Sequence, residues 1–307
     1  MSNIYRPNDP LYSSQWHFGM IGRLRYRTDA DTEGIERVWY DYTGAGVSVG
    51  IWDDGVQTSH WDLSANYDAS RLVSVNGQVN NGLPISASDG HGTSVAGLIA
   101  GAANGLGGVG VAFGASYTPV RIFGGADDIN SYWSRYLTTL DSLGNFDVTN
   151  HSYGGFPDFR TYGDVAKFAT ASATGRGGLG TINVKSAGNG NVDGNGDALD
   201  ASRHTVTVAA LDTTGNAAWY STYGAHILVS APAPAPAAAV TTDLTGSGTG
   251  YDGLLGGDYT NRFGGTSAGG PVTAGVVALM LDANAGLGRR RYGRVFGEGG
   301  RLCRGQC

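Results

Sequence analysis

Cysteine is nearly absent: only Cys303 and Cys307 occur, both in the last five residues. A disulfide framework inside the core is thereby excluded, and neither thiol is near a catalytic signature. Lysine is limited to two residues and no basic patch interrupts the main body, which argues against a nucleic-acid partner. Nowhere does an apolar run approach the roughly 18 residues of a membrane span. The opening MSNIYRPNDP also lacks the basic and apolar regions of a signal peptide, so export would need another segment or another route.

What is abundant is glycine, 52 of 307 residues without a Gly-X-Y period, which excludes collagen and implies many tight turns. The net charge of −6 is carried almost wholly by aspartate, 23 residues against 3 glutamates. Aspartate caps turns and is a hard oxygen ligand, a bias compatible with loop-borne calcium. The length suits one large core, and a single domain is expected over residues 1–288. Residues 289–307 hold 6 of the 18 arginines without an apolar face and are expected to form an atypical Arg/Gly-rich tail.

The apolar run at residues 46–52 (GVSVGIW) ends in Asp53, Asp54 and Gly55, as a buried parallel strand ends in an active-site loop. From His91 the small-residue run HGTSVAGLIAGAA predicts a tightly packed helix. Two strand-like stretches are expected within residues 109–123. Helices are expected over residues 130–143 and 164–174, and strands over 181–186 and 204–210. The run APAPAPAAA at residues 231–239 reads as an exposed extended excursion, and residues 267–287 as a final helix with Pro271 in its first turn. The repeated alternation argues for a parallel α/β domain.

Hydrolysis by a serine needs a nucleophile, a base, a carboxylate that orients the base, and donors for the oxyanion. Ser267 in GGTSAGGP, His91 after Asp89-Gly90, Asp53 at a strand end and Asn189 in SAGNG supply all four. Each alone has an ordinary turn or cap reading; together they are far more specific. The stretch GTSAG also fits GxSxG of the α/β-hydrolases, where the histidine follows the serine. All six histidines here precede Ser267, so that order cannot be completed.

At these residues the chain resembles the subtilase superfamily, in particular the kexin and furin-like convertases and their bacterial relatives. The matching stretches are DDGVQTSHWDL at 53–63, HGTSVAGLIA at 91–100, GRGGLGTINVKSAGNG at 175–190, VTTDL at 240–244 and GTSAGGP at 265–271. The resemblance implies a three-layer α/β fold, a seven-stranded parallel sheet with helices on both faces. It implies a calcium-stabilised, secreted, monomeric endopeptidase acting on protein or peptide substrates. Catalysis would fall to Asp53, His91 and Ser267, with Asn189 in the oxyanion hole. Ser152 and Gly154 would pair with the substrate backbone. Asp197 would lie at the base of the pocket for the P1 side chain, with Asp158 near it, and Asp54 and Asp89 would favour a basic P2 residue. Cleavage after Arg or Lys is the resulting expectation. Side chains of Asp9, Asp62 and Asn104, with carbonyls at Ala102, Leu106 and Gly108, resemble a structural Ca²⁺ site. A noncatalytic binding protein on the same fold is the alternative.

Overall fold

The computed structural model describes residues 3–21, 34–123, 129–154, 157–233 and 238–288. Its first helix, α1 (Ile35–Asp41), leads into the buried strand β1 (Ser48–Asp53). A short hairpin of β2 (Ser74–Val75) and β3 (Gln78–Val79) precedes helix α2 (His91–Ala100). There follow β4 (Ser116–Arg121), α3 (Ile129–Thr139), β5 (Val148–His151), α4 (Gly163–Thr174), β6 (Ile182–Ser186), β7 (Val206–Leu211) and β8 (Val229–Pro232). Strands β9 (Ala239–Thr242) and β10 (Tyr259–Phe263) pair antiparallel before the long helix α5 (Thr266–Ala283).

The main sheet is parallel throughout, in the order β4-β1-β5-β6-β7-β8. Alternate residues of a strand face opposite layers. Val49 and Ile51 of β1 therefore join the core under α2 and α5, while Trp52 points to the other face among Tyr136, Phe146 and Phe168. Helices thus cover both faces, as expected. The indole of Trp52 donates to Thr139 Oγ1 at 3.0 Å, fixing β1 against the end of α3.

Among the described residues six strands form the main sheet where seven are expected. Beside β4, the position of a seventh strand holds one parallel bridge, Tyr67 to Tyr117. Asp68 N–H donates to Tyr117 O at 2.9 Å and Thr118 Oγ1 to Asp68 O at 2.7 Å. Short 3₁₀ turns at Ser64–Asn66 and Ala69–Arg71 confine the extended backbone to the two residues between them.

Two further expectations are corrected. Only one strand lies within residues 109–123, because Val111 and Ala112 donate their N–H groups to Leu98 and Ile99 O. They satisfy the carbonyls that the end of α2 leaves open, so that segment turns instead of extending. The proline-alanine run is also not wholly exposed. Ala231 and Pro232 are buried in β8, where an edge position tolerates a residue without N–H, and Ala239 opens β9. Residues 234–237 of that run and the expected tail at 289–307 lie outside the described residues. Among the described residues no helix is long and apolar enough to cross a membrane.

The amino-terminal segment is tied to the body by buried Gln15. Its Nε2 donates to Val109 O at 2.8 Å and Val240 O at 3.2 Å, and its Oε1 accepts from Val109 N. Neighbouring His17 is fully buried, with neither ring nitrogen in hydrogen-bonding geometry with a partner among the described residues. Burial pushes its pKa down to about 3. Between pH 6.5 and this value the unfolded chain takes a proton that the folded chain refuses, so stability falls as pH falls. By pH 5 the loss amounts to about 2 kcal/mol. Raised carboxyls such as that of Asp62 act in the opposite direction, so the His17 contribution is read as a difference between proteins: from pH 7 to pH 5, urea unfolding should show the stability of the parent changing by about 2 kcal/mol less favourably than that of His17→Leu. Equal slopes in the two proteins would refute the assignment.

Candidate active site

Asp53 is the last residue of β1 and His91 the first of α2, so both side chains stand at the carboxyl edge of the sheet. Their approach depends on Gly92: a Cβ there would lie 2.3 Å from Gly55 O and 2.9 Å from the Asp53 Cβ. His91 Nδ1 stands 2.7 Å from Asp53 Oδ1. A carboxylate only accepts, so Nδ1 carries the hydrogen and Nε2 is left as a proton acceptor. Burial by itself would lower the His91 pKa, but the charge and hydrogen bond of Asp53, with the Asp54 charge, outweigh it and raise the value.

Asp54 is predicted to face a basic P2 residue. Its Oδ2 accepts from His91 N at 3.1 Å and its Oδ1 from Gly92 N at 2.7 Å. It thus holds the open amino-terminal N–H groups of α2, the helix that carries His91. Burial, then the adjacent Asp53 charge, pushes its carboxyl up to about 7. Asp89 is buried and accepts from Ile85 N and Ser86 N, closing the loop before α2.

Ser267 is the second residue of α5, reached through Gly265 at φ +75°, and is half-buried. Its hydroxyl donates to Ser152 O at 3.1 Å, and Ser152 Oγ donates back to Ser267 O at 3.1 Å. In this arrangement the hydroxyl is turned to Ser152 rather than to His91. Ser152 itself is held by Asn150 Nδ2 at 2.9 Å.

Exposed Asn189 follows β6, and its Oδ1 accepts from Thr266 N at 2.8 Å and Thr266 Oγ1 at 3.0 Å. The carboxamide is thereby oriented with its oxygen committed and its Nδ2–H groups left as donors. A Cβ at Gly265 would come within 2.9 Å of that nitrogen. Sequence reading places Thr266 among the residues that allow a tight approach at the helix start, but not as the partner that orients Asn189, a role set by two hydrogen bonds across 77 positions of chain.

Gly154 lines a cavity of about 380 Å³ between α3, α4 and β6, on whose wall Asp197 also lies. Buried Asp197 accepts from Leu199 N and Asp200 N, both at 2.9 Å. Asp158 is fully exposed and engages Arg160 N and the Tyr162 hydroxyl. A second group missed in the sequence is Lys185. Its ammonium is buried 3.1 Å from Asp200 Oδ1. A lysine within the otherwise uncharged buried strand INVKS is the signal that would have found it.

The six residues of the expected calcium site converge across some hundred positions of chain. Asp9 Oδ1 accepts from Asn104 N and Gly105 N, Asp62 Oδ2 from Gly108 N, and Asp62 O from Ala102 N. Leu106 N donates to Asn104 Oδ1. Asp9 Oδ2 and Asp62 Oδ1 are buried and meet no donor in hydrogen-bonding geometry among the described residues. Burial raises the pKa of both carboxyls, that of Asp62 to about 6, with the Asp9 charge adding to it. Among the described residues no three acidic, histidine or cysteine side chains gather for a metal. The donor set is therefore two carboxylates with amide and backbone oxygens, a chemistry that suits a hard ion such as Ca²⁺.

Residues 44–294 match the Subtilase family of peptidases (Peptidase_S8). Human furin is 32% identical over 302 residues, covering 93% of this chain and 35% of furin. The chain spans about a third of the length of the furins it matches. Among solved structures, the serine protease of Aeromonas sobria is similar with a TM-score of 0.76 and 25% identity, covering 93% of this chain and 56% of that one. A protease of Pseudoalteromonas arctica PAMC 21717 has a TM-score of 0.71 and 26% identity, covering 94% and 91%.

Proposed function

The chain belongs to the subtilase family, and on that premise we propose that it is a serine endopeptidase working through Asp53, His91 and Ser267. The observation that supports this reading is the 2.7 Å contact of His91 Nδ1 with Asp53, which leaves Nε2 as the proton acceptor that a general base needs. For reaction, the Ser267 hydroxyl turns from Ser152 O to His91 Nε2, which takes its proton as Oγ attacks the scissile carbonyl. The oxyanion is held by Asn189 Nδ2–H and the Ser267 N–H at the amino terminus of α5. The imidazolium, stabilised by Asp53, then protonates the leaving amine. A water activated by the same imidazole releases the acyl group.

Ser152 and Gly154 would pair with an extended substrate backbone, the β-augmentation mode of peptide recognition. A protein or peptide substrate, a monomeric state and a secreted setting are proposed with the family. Asp9, Asp62 and Asn104, with the carbonyls at Ala102, Leu106 and Gly108, would hold Ca²⁺. The ion would supply charge for two buried carboxylates and tie the amino-terminal segment to the body.

Removing the ion is then expected to lower stability by about 3 kcal/mol when calcium stands at a hundredfold its dissociation constant. Thermal melts in calcium and in chelator should differ for the parent and coincide for Asp62→Asn. Coincident melts of the parent would exclude a stabilising ion. A peptide-library digestion in the two media tests the enzyme reading itself: verified folded, calcium-loaded protein that cleaves nothing would overturn it.

A further inference from the structure

Helix α5 begins with a carbonyl that the helix itself cannot satisfy. In an α-helix a carbonyl accepts from the N–H four residues on, and for Ser267 that residue is Pro271, which has none. The donor comes from the sheet instead: Ser152 Oγ, just past β5, donates to Ser267 O at 3.1 Å. The carbonyl before it is held in the same way, with Ser186 Oγ at the end of β6 donating to Thr266 O at 2.7 Å. The backbone on both sides of the Ser267 Cα is thus gripped by a serine hydroxyl.

A hydroxyl turns about its C–O bond, so the Ser152 hydrogen has to be aimed. Asn150, two residues earlier and on the same face of the strand, does this: its Nδ2 donates to Ser152 Oγ at 2.9 Å. That bond fills an acceptor site on Oγ and directs the hydroxyl hydrogen away from Asn150 and onto Ser267 O. Asn150 is fully buried, and its Oδ1 meets no donor in hydrogen-bonding geometry among the described residues. Packing alone would be served as well by an apolar side chain of similar volume, without an oxygen left over. The cluster has room because the first turn of α5 places Gly270 against it. A Cβ there would lie 2.8 Å from Ser186 Oγ and 3.4 Å from both Asn150 Oδ1 and Ser152 Oγ.

We propose that Asn150 is a positioning residue: by turning the Ser152 hydroxyl onto the Ser267 carbonyl, it fixes the backbone after the Ser267 Cα and so the direction in which Oγ leaves it. Asn150 touches neither substrate nor nucleophile and acts only through Ser152. The inference rests on the reading of Ser267 as nucleophile.

The test compares Asn150→Leu, Ser152→Ala and the double variant with the parent on one peptide, with active sites counted by fluorophosphonate so that unfolded protein does not enter kcat. Each single variant is expected to lower kcat about tenfold while KM stays within about twofold. The double variant is expected to lose no more than either, because the two residues form one chain of contacts. The proposal is overturned if a folded Asn150→Leu keeps the parent's kcat, if its loss falls on KM alone, or if the two losses multiply. A crystal structure of Asn150→Leu is expected to show Ser152 Oγ turned off Ser267 O, and a contact retained as in the parent also overturns the proposal. That measurement needs no activity, which separates the two readings: a parent that neither cleaves nor takes the label rejects the peptidase, while the crystal structure still judges the hold of Asn150 on Ser152. Should Asn150→Leu not fold, Asn150→Ala replaces it in both measurements, and Ser152→Ala at the parent's kcat overturns the proposal without either.

Discussion

Replacing Ser267 or His91 by alanine is expected to lower kcat by about a millionfold, a magnitude taken from subtilisin, a member of the same family, and to leave KM within a few-fold. The two losses should not add. Without His91 the Ser267 hydroxyl has no group to take its proton; without Ser267 the imidazole has no proton to take. The double variant is therefore expected to match either single one, which steady-state rates on one peptide would show directly. The contact of His91 with buried Asp53 is part of the same unit. A fluorophosphonate should label Ser267 in the parent and fail in His91→Ala. Labelling that persists at the parent's rate in that variant would mean that His91 is not the base, whatever its hydrogen bond to Asp53.

Asn189→Ala is the second large effect, a loss of about 10²–10³ in kcat with KM little changed, again the subtilisin magnitude for one such donor. The structural case lies in how the carboxamide is held. Oδ1 accepts two hydrogen bonds from Thr266, at its N and its Oγ1, so the end that remains available is the donor end. A donor fixed in advance costs little reorganisation when the oxyanion forms, and acts only then. The effect should therefore fall on kcat. A variant whose KM rises while kcat holds would make Asn189 a substrate-binding residue instead. Loss of the Oδ1 acceptor also releases Thr266 N, so stability must be checked alongside the rates.

The two effects differ in how far they could be read in advance. Asp53, His91 and Ser267 stand at a strand end and at two helix starts, and each sits in a short stretch whose glycines and small residues allow the close approach the chemistry needs. In such stretches the same few residues carry both local backbone and chemistry. Asp54 shows the limit of that reading. Its neighbour identifies it as near the site, but the two backbone N–H groups of α2 that occupy it come from residues nearly forty positions away. The sheet shows the limit as well. The parallel α/β character follows from the alternation of elements, whereas the order of the strands and the length of the extended segment beside Tyr117, bounded by two 3₁₀ turns without a periodic signature, do not.

By itself, then, the sequence determined the α/β class and, through the order of the histidines before Ser267, the exclusion of the α/β-hydrolase alternative, and it singled out the proposed triad and Asn189. These are properties of short stretches and of their order along the chain. Among the described residues, the tertiary structure alone decided that six strands pair in the main sheet, that Asp54 clasps α2, that one oxygen each of Asp9 and Asp62 is buried with no donor in hydrogen-bonding geometry, and that Lys185 lies against Asp200 beneath an aromatic cavity. Each of these is a matter of burial and charge between groups distant in the chain. Their energies depend on which partner shares the low-dielectric interior, and only folding brings those partners together.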